Sequence, residues 1–133
     1  MGCMRDHRKL TAFHKADALV LSVYERTKLL PTDEKYVLRS QLRRSAISVP
    51  ANIVEGCART TTREYLNHLN IALGSAAELA YLLELTGRIY PPASGEGHSL
   101  PAQANEVIRL LVGLVDGVRR SARSKMHPDK SST

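Results

Sequence analysis

Few side chains in this 133-residue chain are placed to do chemistry. Glu64 and His68 stand four apart, a spacing that sets a carboxylate and an imidazole on one helix face, where they could share an ion or form a solvated pair. His14 beside Asp17 is similar, and a helix-surface role is the simpler reading. Cys57 would need a neighbouring base to act as a nucleophile and none is visible, so a buried small thiol is expected. Neither Cys3 nor Cys57 lies in a Cys-x-x-Cys or Cys/His ligand spacing. Paired Glu-x-x-His motifs, a glycine-rich phosphate loop and a Gly-x-Ser-x-Gly turn are all missing from the sequence. The expectation is a non-enzyme with no metal and no cofactor.

Phosphate binding is the chemistry the composition favours. Lys and Arg number 19 against 13 Asp and Glu, a formal charge of +6 that attracts anionic partners. The cations fall in groups: Arg39, Arg43 and Arg44; Arg59 and Arg63; then Arg119, Arg120, Arg123 and Lys125. Arginine-rich surfaces bind phosphates through salt-sensitive counterion release. Aromatic residues are only 5% of the chain and Trp is missing, so single-strand recognition by base stacking is not supported. Backbone or shape recognition of structured RNA or duplex DNA fits better. A structural oligomer whose cations only maintain solubility is the competing reading.

These groups need elements to carry them, and the apolar rhythm supplies four helices. Phe13, Ala16, Val20, Val23, Thr27 and Leu30 draw a stripe on the first, with Leu19 beside it and Thr11 as a candidate cap. Leu30-Pro31 ends it, and Thr32-Asp33-Glu34 predicts a second helix from about Asp33 to Cys57, nearly 40 Å long. In that helix Leu42, Ala46, Val49 and Ile53 face inward, while Pro50 collides with the carbonyl of Ala46 and predicts a kink or a lost bond. Thr61 with Glu64 forms a capping box for a third helix, whose inner row is Leu66, Leu69, Leu73, Ala76, Ala80 and Leu83. Gly74, flanked by Ser75, predicts close approach of another helix, because a mid-helix glycine costs about 1 kcal/mol relative to alanine. Gly87 and Pro91-Pro92 end that helix, and a polar loop leads to a fourth from about Ala102, with Ala104, Val107 or Ile108, Leu111, Leu114 or Val115, Val118 and Ala122 inward.

The polar residues Asn52, Glu55 and Glu78 are not explained by periodicity. One reading has them satisfying backbone groups freed by Pro50 or fixing helix register; the other puts them at a subunit or partner contact. Gly56 ends the second helix's motif. Val37, Ile47, Val54, Leu79, Leu82 and Leu110 fall outside the main stripes, which predicts self-association. The expected domain plan is a mobile tail over 1–9, a bundle over 10–125 and a mobile tail over 126–133. The charged start and the lack of a spanning apolar run predict a cytoplasmic protein with no membrane partner.

The run Arg43-Arg44-Ser45-Ala46-Ile47-Ser48-Val49-Pro50-Ala51-Asn52-Ile53-Val54-Glu55-Gly56, followed by Ala72-Leu73-Gly74-Ser75-Ala76-Ala77-Glu78-Leu79, resembles the signature of one small bacterial family. That family includes proteins encoded in intervening sequences of large-subunit ribosomal RNA genes and the accessory variability protein of diversity-generating retroelements. The resemblance spans about Phe13 to Ala122; Val49, Val54, Cys57 and Ala58 depart from the commonest pattern but keep apolar or small character. Four amphipathic helices with short links already predict an all-α, antiparallel up-down-up-down four-helix bundle, and the resemblance implies its assembly as a ring-shaped homopentamer. For the accessory branch it also implies a basic ring that partners a reverse transcriptase.

Overall fold

The computed structural model describes residues 5–93 and 99–126, and among them are four α-helices and no strand. They are α1 (Thr11–Thr27), α2 (Leu38–Cys57), α3 (Thr62–Ile89) and α4 (Leu100–Met126). α2 packs on α1 and α3, and α4 on α3 and α1, so the four close around one core as a bundle. Cross-helix pairs set the register. Arg43 of α2 meets Thr27 and Tyr24 of α1, and Lys15 of α1 meets Glu106 of α4. Ser48 meets Ser75, Asn52 meets His68, and Gly56 lies against Tyr65.

The core is aliphatic, with Val23, Leu42, Ile53, Leu69, Leu79 and Leu111 fully enclosed and Tyr65 its one large aromatic. In α4 the inner row is Ala104, Val107, Leu111 and Val115, whereas Ile108, Leu114, Val118 and Ala122 of the predicted row are half-buried. In α1 the inner row is Ala12, Ala16, Leu19, Val23 and Thr27, with Phe13 and Val20 moved to its flank. In α3 the inner row is Tyr65, Leu69, Ala72, Ala76, Leu79, Leu83 and Thr86, whereas Leu66, Leu73 and Ala80 are half-buried. α3 is covered by α2 on one side and α4 on the other, so its apolar face is wider than a single seam. Leu79, which the stripe leaves spare, is therefore core.

Several element boundaries differ from expectation. Asp33 and Glu34 belong to a separate 3₁₀ turn, Thr32–Glu34, and α2 starts only at Leu38, after Val37 leaves helical geometry at φ −115° and ψ −92°. Glu34 accepts from the Tyr90 hydroxyl at 2.8 Å and Arg39 donates to the Leu30 carbonyl at 3.0 Å, contacts that hold this connection as its own turn. At 20 residues α2 is about 30 Å long. It runs unbroken through buried Pro50. α3 continues through Gly87 to Ile89, and α4 begins at Leu100 with Pro101 in its first turn, where the missing N–H is no loss.

Thr11 is the first helical residue of α1 and caps nothing; Leu10 occupies the cap position without a side-chain bond. Residues 5–9 are not a free tail. Asp6 accepts from the Arg8 backbone N–H at 3.0 Å and caps a 3₁₀ turn over His7–Lys9, which packs on α1 and α2. The expectations for residues 1–4, for 94–98 of the polar loop and for 127–133 lie outside the described residues. Thr61 does cap α3, accepting from the Glu64 N–H at 3.1 Å. Thr61→Ala is expected to cost about 1 kcal/mol, read as a lower denaturant midpoint with unchanged slope. Among the described residues no helix is long and apolar enough to cross a membrane.

Candidate nucleic-acid interface

One end of the bundle gathers the C-terminus of α2, the N-terminus of α3, the last turns of α4 and the docked segment before α1. The Arg5 N–H donates to the Cys57 carbonyl at 3.0 Å, an acceptor that a helix end leaves unpaired. Its guanidinium lies 4.1 Å over the Tyr65 ring and donates to Thr62 Oγ1 at 3.4 Å. Ala122 of α4 lines an open depression with the α3 cap Thr61 and with Thr62, Arg63, Glu64, Leu66, Asn67 and Asn70 of α3. Segments 5–9, 55–64 and 116–125 thus meet here, carrying nine Lys and Arg against four Asp and Glu. At the opposite end, segments 25–39 and 84–90 carry five against four. The excess charge of the chain is therefore concentrated at one pole.

The predicted cations divide by environment. Arg63, Arg119, Arg120, Arg123 and Lys125 are exposed and make no ion pair with another described residue. Arg59 is exposed but pairs with Glu55 at 2.7 Å. Arg44 is exposed on the outer face of α2, away from this pole. Arg39 and Arg43 are turned inward, contrary to a role as free phosphate ligands. Arg43 Nε donates to Thr27 Oγ1 at 2.9 Å and its guanidinium stacks 4.2 Å over Tyr24, while Arg39 holds the Leu30 carbonyl. Both fasten the end of α1 to α2. Arg5, Arg8 and Lys9 join the pole in their place. Their charge is visible in the sequence, but the backbone bond that docks them is not.

The α2–α3 seam absorbs most of the polar motif. Ser48 and Ser75 hydroxyls are 2.7 Å apart, Asn52 Nδ2 donates to the Ser48 carbonyl at 2.8 Å, and His68 Nδ1 meets Asn52 Oδ1 at 3.2 Å. Because Asn52 uses the Ser48 carbonyl, the Ala46 carbonyl facing Pro50 is not its partner. Asn52 instead links the two helices and fixes their register. Glu55 lies 3.9 Å from His68 and bonds Arg59. Glu78 is exposed with no described partner. Gly74 is also exposed, and a Cβ built there meets nothing within 4 Å, so none of the described helices approaches it closely. The close approach is at Gly56, where a Cβ would lie 2.9 Å from His68 Cβ.

Burial shifts two titratable side chains at this pole. Burial pushes the Cys57 thiol up, away from the reactive thiolate. Burial also pushes the Tyr65 hydroxyl up to about 12 from an ordinary value of 10.0. The folded state therefore holds this proton more tightly than the unfolded chain. The linked stability is present below pH 10 and is lost as pH rises toward 12, by on the order of 2 kcal/mol. Tyr65→Phe is expected to lose correspondingly less stability than the parent chain between pH 9 and 12, measured by urea unfolding. Glu64 and His68 form no larger ligand set, and among the described residues no group of three or more His, Cys, Asp or Glu could hold a metal.

Residues 8–113 match the family described as 23S rRNA-intervening sequence protein. A solved structure from Bacteroides thetaiotaomicron, described as a protein with unknown function from the S23 ribosomal protein family, is similar at 28% identity and a TM-score of 0.71. That similarity covers 79% of this chain and 95% of the other. Among curated proteins there is no match. The cationic last turns of α4 lie beyond the matched segment, whereas α1, α2, α3 and the seam motif lie within it. On the extent of that match, the chain belongs to the 23S rRNA-intervening sequence protein family.

Proposed function

We propose that this chain is a non-catalytic, cytoplasmic adaptor that binds the phosphate backbone of structured RNA or duplex DNA through its cationic pole. The carrying observation is the gathering of nine cations against four acids at one end, with five of the arginines and lysines predicted from the sequence exposed there and in no ion pair with another described residue. The family's tie to a ribosomal RNA intervening sequence favours RNA as the partner. A reverse-transcriptase partner is no part of this reading, since no feature of the pole calls for one.

The same reading includes an antiparallel up-down-up-down bundle that assembles as a homopentamer. The pairing of Ser48 with Ser75, Asn52 with His68 and Gly56 with Tyr65 supports the helix directions, because residue numbers rise along α2 as they fall along α3. Ile47, Ala51, Val54 and Ala58 recur at four and three residues along the outer face of α2, all exposed. An apolar row of this kind, on a helix already packed on its other faces, supports self-association. Five copies would repeat the cationic pole and let weak patches act together.

The test is the salt dependence of binding to an RNA hairpin and a DNA duplex, with oligomeric mass measured in the same buffer. A linear fall of log K with log salt, about 0.9 per duplex phosphate neutralised, by a species near five subunits is expected. No binding to either at low salt would overturn the reading in favour of a protein scaffold built on the α2 face.

A further inference from the structure

We infer that the groove between the first half of α3 and the last turns of α4 seats the sugar edge of A-form RNA, with Asn67 and Asn70 bonding 2′-hydroxyls. Arg63, Arg119 and Arg123 hold the flanking phosphates. This rests on the nucleic-acid reading above and narrows it to one polymer.

Placement comes first. Arg63, Asn67 and Asn70 recur at four and three residues, one outward row of α3, and Gly74 and Ala77 continue it. On α4, Pro101 borders Leu83 and Gly87 of α3. Ile108, Val112, Arg119 and Arg123 follow Pro101 at intervals of seven, four, seven and four, one side of α4, and the two arginines stand three before and one after Ala122, the α4 residue that lines the depression. The depression measures about 920 Å³ and is open, a shape that fits a polymer edge better than an enclosed small molecule. Further along the same row, space is open over Gly74, where a Cβ would meet nothing within 4 Å.

Chemistry then selects the ligand. A phosphate only accepts hydrogen bonds, and cations satisfy it. Asn67 and Asn70 are exposed carboxamides about 4.5 Å apart along the axis, and neither side chain bonds another described residue. Each both donates and accepts, which matches a hydroxyl that does the same. A-form RNA displays 2′-hydroxyls across a wide, shallow minor groove, whereas DNA has no such group and a minor groove only about 6 Å wide.

The experiment uses the full chain and three hairpins of one sequence: RNA, DNA, and 2′-fluoro RNA, which keeps A-form geometry but loses the hydroxyl donor. Binding is measured for the parent protein and for Asn67→Ala/Asn70→Ala, a pair of surface changes to the best helix former. The parent is expected to prefer RNA over both other hairpins by roughly ten-fold, from two hydrogen bonds. The double variant should bring the three hairpins near parity and leave the salt slope unchanged. Equal binding of all three by the parent, or an undiminished RNA preference in the variant, would overturn the inference while the backbone reading stands. No binding of any hairpin at low salt would overturn both.

Discussion

Arg119→Gln/Arg120→Gln/Arg123→Gln should bind a DNA duplex with a log K against log salt slope shallower by up to about 2.7, three phosphate contacts at 0.9 each. Near 0.1 M salt this corresponds to an affinity loss approaching two to three orders of magnitude. The loss should come without unfolding. All three side chains are exposed, none pairs with a described acid, and Gln keeps nearly the helix propensity of Arg. The removed charges do favour the C-terminal end of α4, but that exposed helix-end effect is only about 0.3–1 kcal/mol. The informative control is Arg39→Gln/Arg43→Gln. Arg39 holds the Leu30 carbonyl and Arg43 holds Thr27 Oγ1, so this control should lower stability and leave the salt slope alone. Isothermal binding at several salt concentrations, paired with urea unfolding, separates the two outcomes. If the control flattened the slope and the triple variant did not, the phosphate-binding face would have to be moved to the start of α2.

The contrast between those two arginine groups marks where sequence reasoning reached its limit. Four helices and the inner face of α4 were legible because an apolar row at three- and four-residue spacing needs only one helix to be recognised. The α3 cap was legible for the same reason, since Thr61 and Glu64 are local partners. Arg39 and Arg43 have the same composition and spacing as a free cationic stripe; only the return of α1 beside them turns their guanidiniums inward. The docking of residues 5–9 depends on a backbone bond to Cys57, some fifty residues away, and a backbone group leaves no trace in side-chain pattern. Likewise the late start of α2 follows from Glu34 reaching Tyr90 across the opposite end of the bundle, which outweighs the first-turn acids as a helix signal. The polar motif was recognised as special from its residue types. Its division into a seam that includes Asn52 and Ser75, and an exposed Glu78, required the partner helix.

The glycines make the same point with a measurable outcome. Gly56→Ala should destabilise the bundle by about 1–3 kcal/mol, as overpacking in a closed site does. Its new Cβ would lie 2.9 Å from His68 Cβ and 3.2 Å from Tyr65 Cδ1. Neither neighbour can step aside cheaply. A Cβ moves only with its backbone, His68 is tied through Nδ1 to Asn52, and Tyr65 is 2% exposed. Gly74→Ala should do the reverse and stabilise by about 1 kcal/mol, because open space surrounds its Cβ and alanine restricts the unfolded chain. The two variants should therefore separate by roughly 10 °C in thermal midpoint. Their oligomeric masses complete the test. If Gly74→Ala is less stable than the parent and its mass falls toward one subunit, the open space over Gly74 is where a second copy's helix enters. The close approach that a mid-helix glycine predicts would then lie between subunits rather than within one.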